Sequence, residues 1–168
     1  MVRFGWLGAS LVLASSLALA ACGGGGSGDA SGKPAGTGAG AAASKPTKLE
    51  KVGLTLDLPA DATVSDAIGG DGNMVMAPNT TFTVSVAKAT DPKTADDAKA
   101  AALATENLKI EKLPDGWVLT SENTGSAGRN YWLTMRREIG GKGYMCETMQ
   151  SADAQVKAAI AACKSLKP

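Results

Sequence analysis

Residues 131–163 read YWLTMRREIGGKGYMCETMQSADAQVKAAIAAC, and this stretch decides the fold. Tyr131–Ile139 alternates in period two, with Tyr131, Leu133 and Met135 on one side and Trp132, Thr134 and Arg136 on the other. Gly140-Gly141-Lys142-Gly143 is turn material, and Tyr144–Gln150 returns as a second strand, so the pair reads as a β-hairpin. The period then changes. From Ser151 onward Val156, Ala159, Ile160, Cys163 and Leu166 fall at i, i+3, i+4, i+7 and i+10, the apolar stripe of a helix. A hairpin followed by an amphipathic helix predicts a helix folded back across an antiparallel sheet, with Cys163 on its buried stripe above Cys146.

Upstream, KVGLTLDLPAD alternates Val52, Leu54, Leu56 and Leu58 until Pro59 closes the run. Asn73–Ala77 and Thr81–Lys88 are two further strands, separated by Pro78-Asn79, and Trp117–Glu122 is another after the turn Leu113-Pro114-Asp115-Gly116. The segment from Thr94 to Leu108 is predicted as a helix. Thr94 is its N-cap, Asp96 and Asp97 suit the positive end of the dipole, and Ala98, Ala101, Ala102, Thr105 and Leu108 form a thin apolar stripe. The predicted order is β-β-β-α-β-β-β-α, an α+β fold with an antiparallel sheet of about six strands and two helices. This globular domain spans residues 48–168, about 120 residues, enough for one core.

The chain begins differently. Arg3 is followed by an apolar run from Leu7 to Ala21, shorter than the ~20 residues of a membrane-spanning helix. A cationic start, a short apolar segment and small residues at its end make residues 1–21 a signal peptide. The end of that run, Leu19-Ala20-Ala21-Cys22, resembles the lipobox of bacterial lipoproteins. The resemblance implies cleavage before Cys22 and a diacylglyceryl thioether on its sulfur. The alternative is an ordinary secreted chain, or an uncleaved anchor. Multiple acyl chains at ~0.8 kcal/mol per buried CH₂ hold a protein durably to a bilayer. Gly23 stands where an inner-membrane retention signal would place Asp, so in a Gram-negative cell the expected address is the outer membrane, facing the periplasm or the cell surface.

Residues 22–47 are expected to form a disordered tether. Fifteen of the 25 residues from Gly23 to Thr47 are Gly or Ala, and none is aromatic or a large aliphatic. As a Gly-rich coil it would span roughly 25–30 Å. Cleavage removes one of 17 basic residues and none of the 16 acidic ones, so the formal charge falls from +1 to zero. No basic face stands out, which argues against a nucleic-acid partner. The chain has no histidine, which excludes Ser-His-Asp and Cys-His catalysis and the commonest transition-metal ligand. Neither a cofactor nor a metal is expected.

Three cysteines leave two once Cys22 carries lipid, and exported chains pair such thiols, so Cys146 and Cys163 are expected to form a disulfide. A catalytic or metal-binding pair is the other reading, against which stand the lack of CxxC spacing and of histidine. Trp117, Tyr131, Trp132 and Tyr144, with Arg136, are the candidate binding face; packing in the core is the plainer account of the aromatics. Arg136-Arg137-Glu138 offers cross-strand salt bridges or an anionic-ligand site, and a solvated charge cluster is the plainer reading. Asp66, Asp71 and Asn73 offer oxygen ligands but not at EF-hand spacing, and read as a turn. Asp57 and Asp61 are the only candidates for a carboxylate-dependent hydrolase, and turn chemistry explains both.

Element order, a late β-meander and a cysteine-stapled final helix resemble the PsbP/Mog1-like superfamily. The likeness lies in LTLDLPAD, TFTVSVAK, the Asp-rich start of the 94–108 helix, LPDGWVLTSE and YMCETM. It implies a non-catalytic binding or assembly protein, as are most members of that superfamily, which include photosystem assembly factors, a nuclear import factor and envelope lipoproteins. No functional residue transfers, because the acidic Ran-binding patch of the import factor has no counterpart here. The expected function is therefore a membrane-tethered envelope lipoprotein that binds or assembles an envelope protein. The alternatives are a small-ligand carrier using the aromatic sheet face, and the carboxylate hydrolase.

Overall fold

The computed structural model describes residues 44–126 and 128–168. The signal peptide, Cys22 and the spacer up to residue 43 lie outside the described residues. Among the described residues there are nine strands and two helices: β1 (Ser44–Leu49), β2 (Leu54–Pro59), β3 (Thr63–Asp66), β4 (Gly72–Ala77), β5 (Thr80–Val86), α1 (Ala95–Ala101), β6 (Glu106–Leu113), β7 (Gly116–Gly125), β8 (Gly128–Ile139), β9 (Lys142–Gln150) and α2 (Asp153–Lys164). Seven strands form one sheet in the order β3-β4-β5-β9-β8-β7-β6, while β1 and β2 form a separate ribbon. Every described pairing is antiparallel. The α+β class with two helices is as expected, but the sheet has seven strands rather than six.

The main core lies between one face of the sheet and a layer made of α2 and the β1–β2 ribbon. Leu54, Leu56 and Leu58 from the ribbon meet Phe82, Val84, Leu133, Met135 and Cys146 from the sheet, and Val156, Ala159 and Cys163 from α2. Each large aliphatic buried there contributes about 1.5–3 kcal/mol. The stripe expected on α2 is the one observed. Cys146 and Cys163 are joined by a disulfide across a Cα–Cα distance of 6.4 Å. At the C-terminal end of α2, Arg137 Nη1 donates to the carbonyls of Cys163 and Lys164 at 3.1 and 2.8 Å. Its other nitrogens hold Asp115. A guanidinium there satisfies carbonyls that have no partner within the helix.

The hairpin from β8 to β9 pairs Ile139 with Lys142, leaving Gly140 and Gly141 as a two-residue loop. Both have positive φ, +59° and +77°, as a type I′ turn requires. Strand β9 therefore begins at Lys142, inside the stretch expected to be turn.

Two further expectations are corrected. The helix predicted over 94–108 ends at Ala101, although its capping box is real: Thr94 Oγ1 accepts from Asp97 N and Asp97 Oδ2 accepts from Thr94 N, both at 3.1 Å. Glu106–Leu113 is instead the edge strand β6, which pairs with β7 and is reached through a bulge at Asn107, a residue type that tolerates its φ of 48°. Ser44–Thr47, expected to be tether, pair with β2 as part of β1, so the ordered domain begins before Lys48.

The 17-residue separation of the two cysteines sets the contribution of the cross-link. Replacing both with alanine is expected to cost about 3 kcal/mol of unfolding free energy. Urea denaturation of the oxidised wild type and the Cys146→Ala/Cys163→Ala variant measures the difference.

Candidate functional site

The described residues cover the sheet's second face only in part. Helix α1 packs Ala95 and Ala98 against Trp117, Leu119 and Met145. Beyond α1 the chain runs through Ala102, Leu103 and Ala104 before entering β6, and this segment and the open part of the sheet enclose a groove of about 450 Å³. Leu119, Met145, Met149 and the Trp132 ring supply its apolar surface, with Ser121 and Thr134 between them. The register explains why these residues meet. Ser121 pairs with Trp132 and Trp132 with Met149; Leu119 pairs with Thr134 and Thr134 with Glu147. Cross-strand partners share a face, so every other residue of three adjacent strands points to the same side.

The groove carries two charged residues among those that line it, Asp91 and Glu147, and both are acidic. Glu147 keeps solvent access, but the groove wall displaces enough water to raise its carboxyl above the usual value, and Asp91 adds to the rise. Lys88 opposes it, while being itself engaged at 2.8 Å by Asp71. Asp91 Oδ2 accepts from the Lys88 backbone N–H at 2.6 Å, which fixes the carboxylate on the loop before α1. At the rim Leu103 is 93% exposed and Met149 52%. Trp132 Nε1 is sealed from solvent and has no hydrogen-bond partner among the described residues.

The five residues expected to form one binding face are divided between the two sides of the sheet. Tyr131 and Tyr144 point to the α2 side and pack in or against the main core. Trp117 is 2% exposed under α1, its Nε1 donating to the Lys93 carbonyl at 3.4 Å. Arg136 is also buried. It holds Glu138 at 2.6 Å and reaches the Pro92 carbonyl at 3.4 Å, so it is a strut between sheet and loop rather than a solvated charge. Gly143 leaves room for it, since a Cβ there would overlap the guanidinium. Of the five, Trp132 alone lines the groove.

The other candidates resolve into structural roles. Asp57 pairs with Lys167 at 3.0 Å, its backbone N–H donates to Ser165 Oγ at 2.8 Å, and Asp61 is exposed. Asp66 and Asp71 pair with Lys51 and Lys88, and buried Asn73 accepts from Lys51 N at 3.1 Å. No cluster of metal-ligating side chains occurs among the described residues. No described helix is long and apolar enough to cross a membrane.

The groove residues that the sequence reading passed over are Asp91, Leu103, Ser121, Met145, Glu147 and Met149. A signal for three of them was present: in YMCETMQ, Met145, Glu147 and Met149 alternate onto one side. No protein-family model matches the chain, and no curated protein matches it in sequence.

A carboxyl whose folded value is raised favours the folded state while protonated. That stability fades as pH climbs from the ordinary value of 4.5 through the raised one. Glu147→Gln is therefore expected to melt no lower than wild type at neutral pH, with its relative advantage vanishing below pH 4.5. Paired thermal melts across that range check the sign.

Proposed function

We propose that this chain is an envelope lipoprotein, anchored through lipid on Cys22, whose domain is a non-catalytic binding module that takes a small, largely apolar ligand in the groove beside α1. One observation carries the reading: a concave site of about 450 Å³, within the range of small-molecule pockets and lined mostly by apolar side chains. It favours the carrier form of a binding module over an assembly surface, because the apolar side chains are gathered into a hollow rather than spread over a plane. The absence of histidine from the whole chain, and the engagement of Asp57 by Lys167, give a hydrolase reading nothing to build on. The anchor rests on the lipobox and places the domain at a membrane, in a Gram-negative cell at the outer one. Kinship with the PsbP/Mog1-like superfamily is supported by the antiparallel meander and the cystine-bound final helix.

Two measurements test this. The neutral apolar probe N-phenyl-1-naphthylamine is expected to bind saturably, with a rise in fluorescence. Thr134→Phe, a strand-compatible change on the groove floor, is expected to weaken it at least roughly tenfold without loss of fold. Unaltered titration by the variant would remove the groove from the proposal. Radiolabelled palmitate is expected to enter wild type and not Cys22→Ser; equal labelling would remove the anchor.

A further inference from the structure

The groove's charges point to one class of ligand. Its two charged lining residues are Asp91 and Glu147, and among the described residues none that lines it is basic. The nearby cations are already engaged: Lys88 by Asp71 at 2.8 Å, and Arg136 by Glu138 at 2.6 Å. Glu147 stands between Met145 and Met149 along β9, beside Thr134, so a negative group sits within the apolar surface rather than beyond it. Partial burial against the groove wall and then Asp91 hold its carboxyl above the usual value, and the Lys88 charge only partly offsets the rise.

The geometry points to an amphiphilic cation as the ligand, its apolar body laid against Leu119, Met145, Met149 and Trp132 and its ammonium group between Asp91 and Glu147. This rests on the reading of the groove as a binding site and adds the sign of the ligand's charge. An arriving ammonium adds positive charge to two carboxylates whose neighbouring cation, Lys88, is already held by Asp71, and it meets an aromatic ring and thioethers, surfaces that suit a soft cation. An anionic head of the same size would meet two like charges. A neutral one would add no positive charge beside either carboxylate. The lip of Leu103 and Met149 extends the apolar track outward for a longer tail.

Three ten-carbon probes separate the possibilities: decyltrimethylammonium, decyl maltoside and decanoate, each below its micellar concentration. They are titrated at pH 8 by calorimetry into the full chain from residue 22 carrying Cys22→Ser, so that no attached lipid competes. The expected order is cation, then neutral, then anion. The cation should lead the neutral probe by roughly five- to tenfold, the size of one partly screened charge contact. Glu147→Gln is expected to abolish that lead, read as the ratio of cation to maltoside affinity within the variant, with circular dichroism reporting an intact fold. Should that variant fail to fold, Asp91→Asn decides in its place, with the same expected loss. Equal binding of cation and neutral probe, or tightest binding of decanoate, overturns the inference and leaves the groove as an apolar site. A cation preference that survives both substitutions also overturns it. Binding of none of the three overturns both the inference and the carrier reading beneath it.

Discussion

Alternation along β8 and β9 is the constraint on which the rest of this molecule depends. Side chains on a strand point to opposite faces in turn, so Leu133, Met135 and Cys146 must all go to one side if any of them does. They go to the side of α2, where the disulfide to Cys163 holds the helix down. The intervening residues, Trp132, Thr134, Met145, Glu147 and Met149, are then committed to the other side. Among the described residues, that side has only a two-turn helix to cover it. A second, thinner apolar cluster forms beneath α1, and what α1 does not cover remains as the groove.

The adjacent arginines show the same rule acting on charge. Arg136 and Arg137 are consecutive, so one faces each layer. Arg136 runs toward the loop before α1 and stands on Glu138 and the Pro92 carbonyl. Arg137 runs toward the end of α2, where it satisfies two helix carbonyls and pairs with Asp115. Each guanidinium ties a helical layer to the sheet, and each is paired, as a charge largely withdrawn from water must be.

Much of the fold was legible because its elements carry a single period. The β8–β9 hairpin, α2 with Cys163 inward, and the Thr94 cap all follow from local patterns. Where two patterns overlapped, the reading failed. Leu108 fits the helical stripe begun at Ala98, and it also fits the alternation of Leu108 and Ile110 in β6. Pairing with β7 decides between them, and that contact is tertiary. Strand β3 was missed because Thr63–Asp66 is short and mostly exposed, held by its neighbour β4 rather than by its own apolar content. Ser44–Thr47 resembled spacer because their pairing with β2 leaves no hydrophobic trace. The candidate site was half legible. The sequence isolated Trp132 from Tyr131 correctly, but grouping aromatics by type joined residues that lie on opposite faces.

The ribbon at the start of the domain has a mechanical consequence. Strand β2 is held on both flanks, by β1 on one and by Lys167 opposite Thr55 on the other, with Ser165 and Lys167 also gripping Asp57. Strand β1 has β2 as its one described partner, and its first rung, Ser44 opposite Pro59, is at the open end of the hairpin. Tension arriving through the preceding chain loads these rungs one after another, like a zip, rather than all together in shear. The part that yields first is therefore β1 as far as Leu49, which is fully buried and acts as the stop. Peeling back that strand lengthens the reach of the domain while the disulfide-bound layer, the sheet and the groove stay folded.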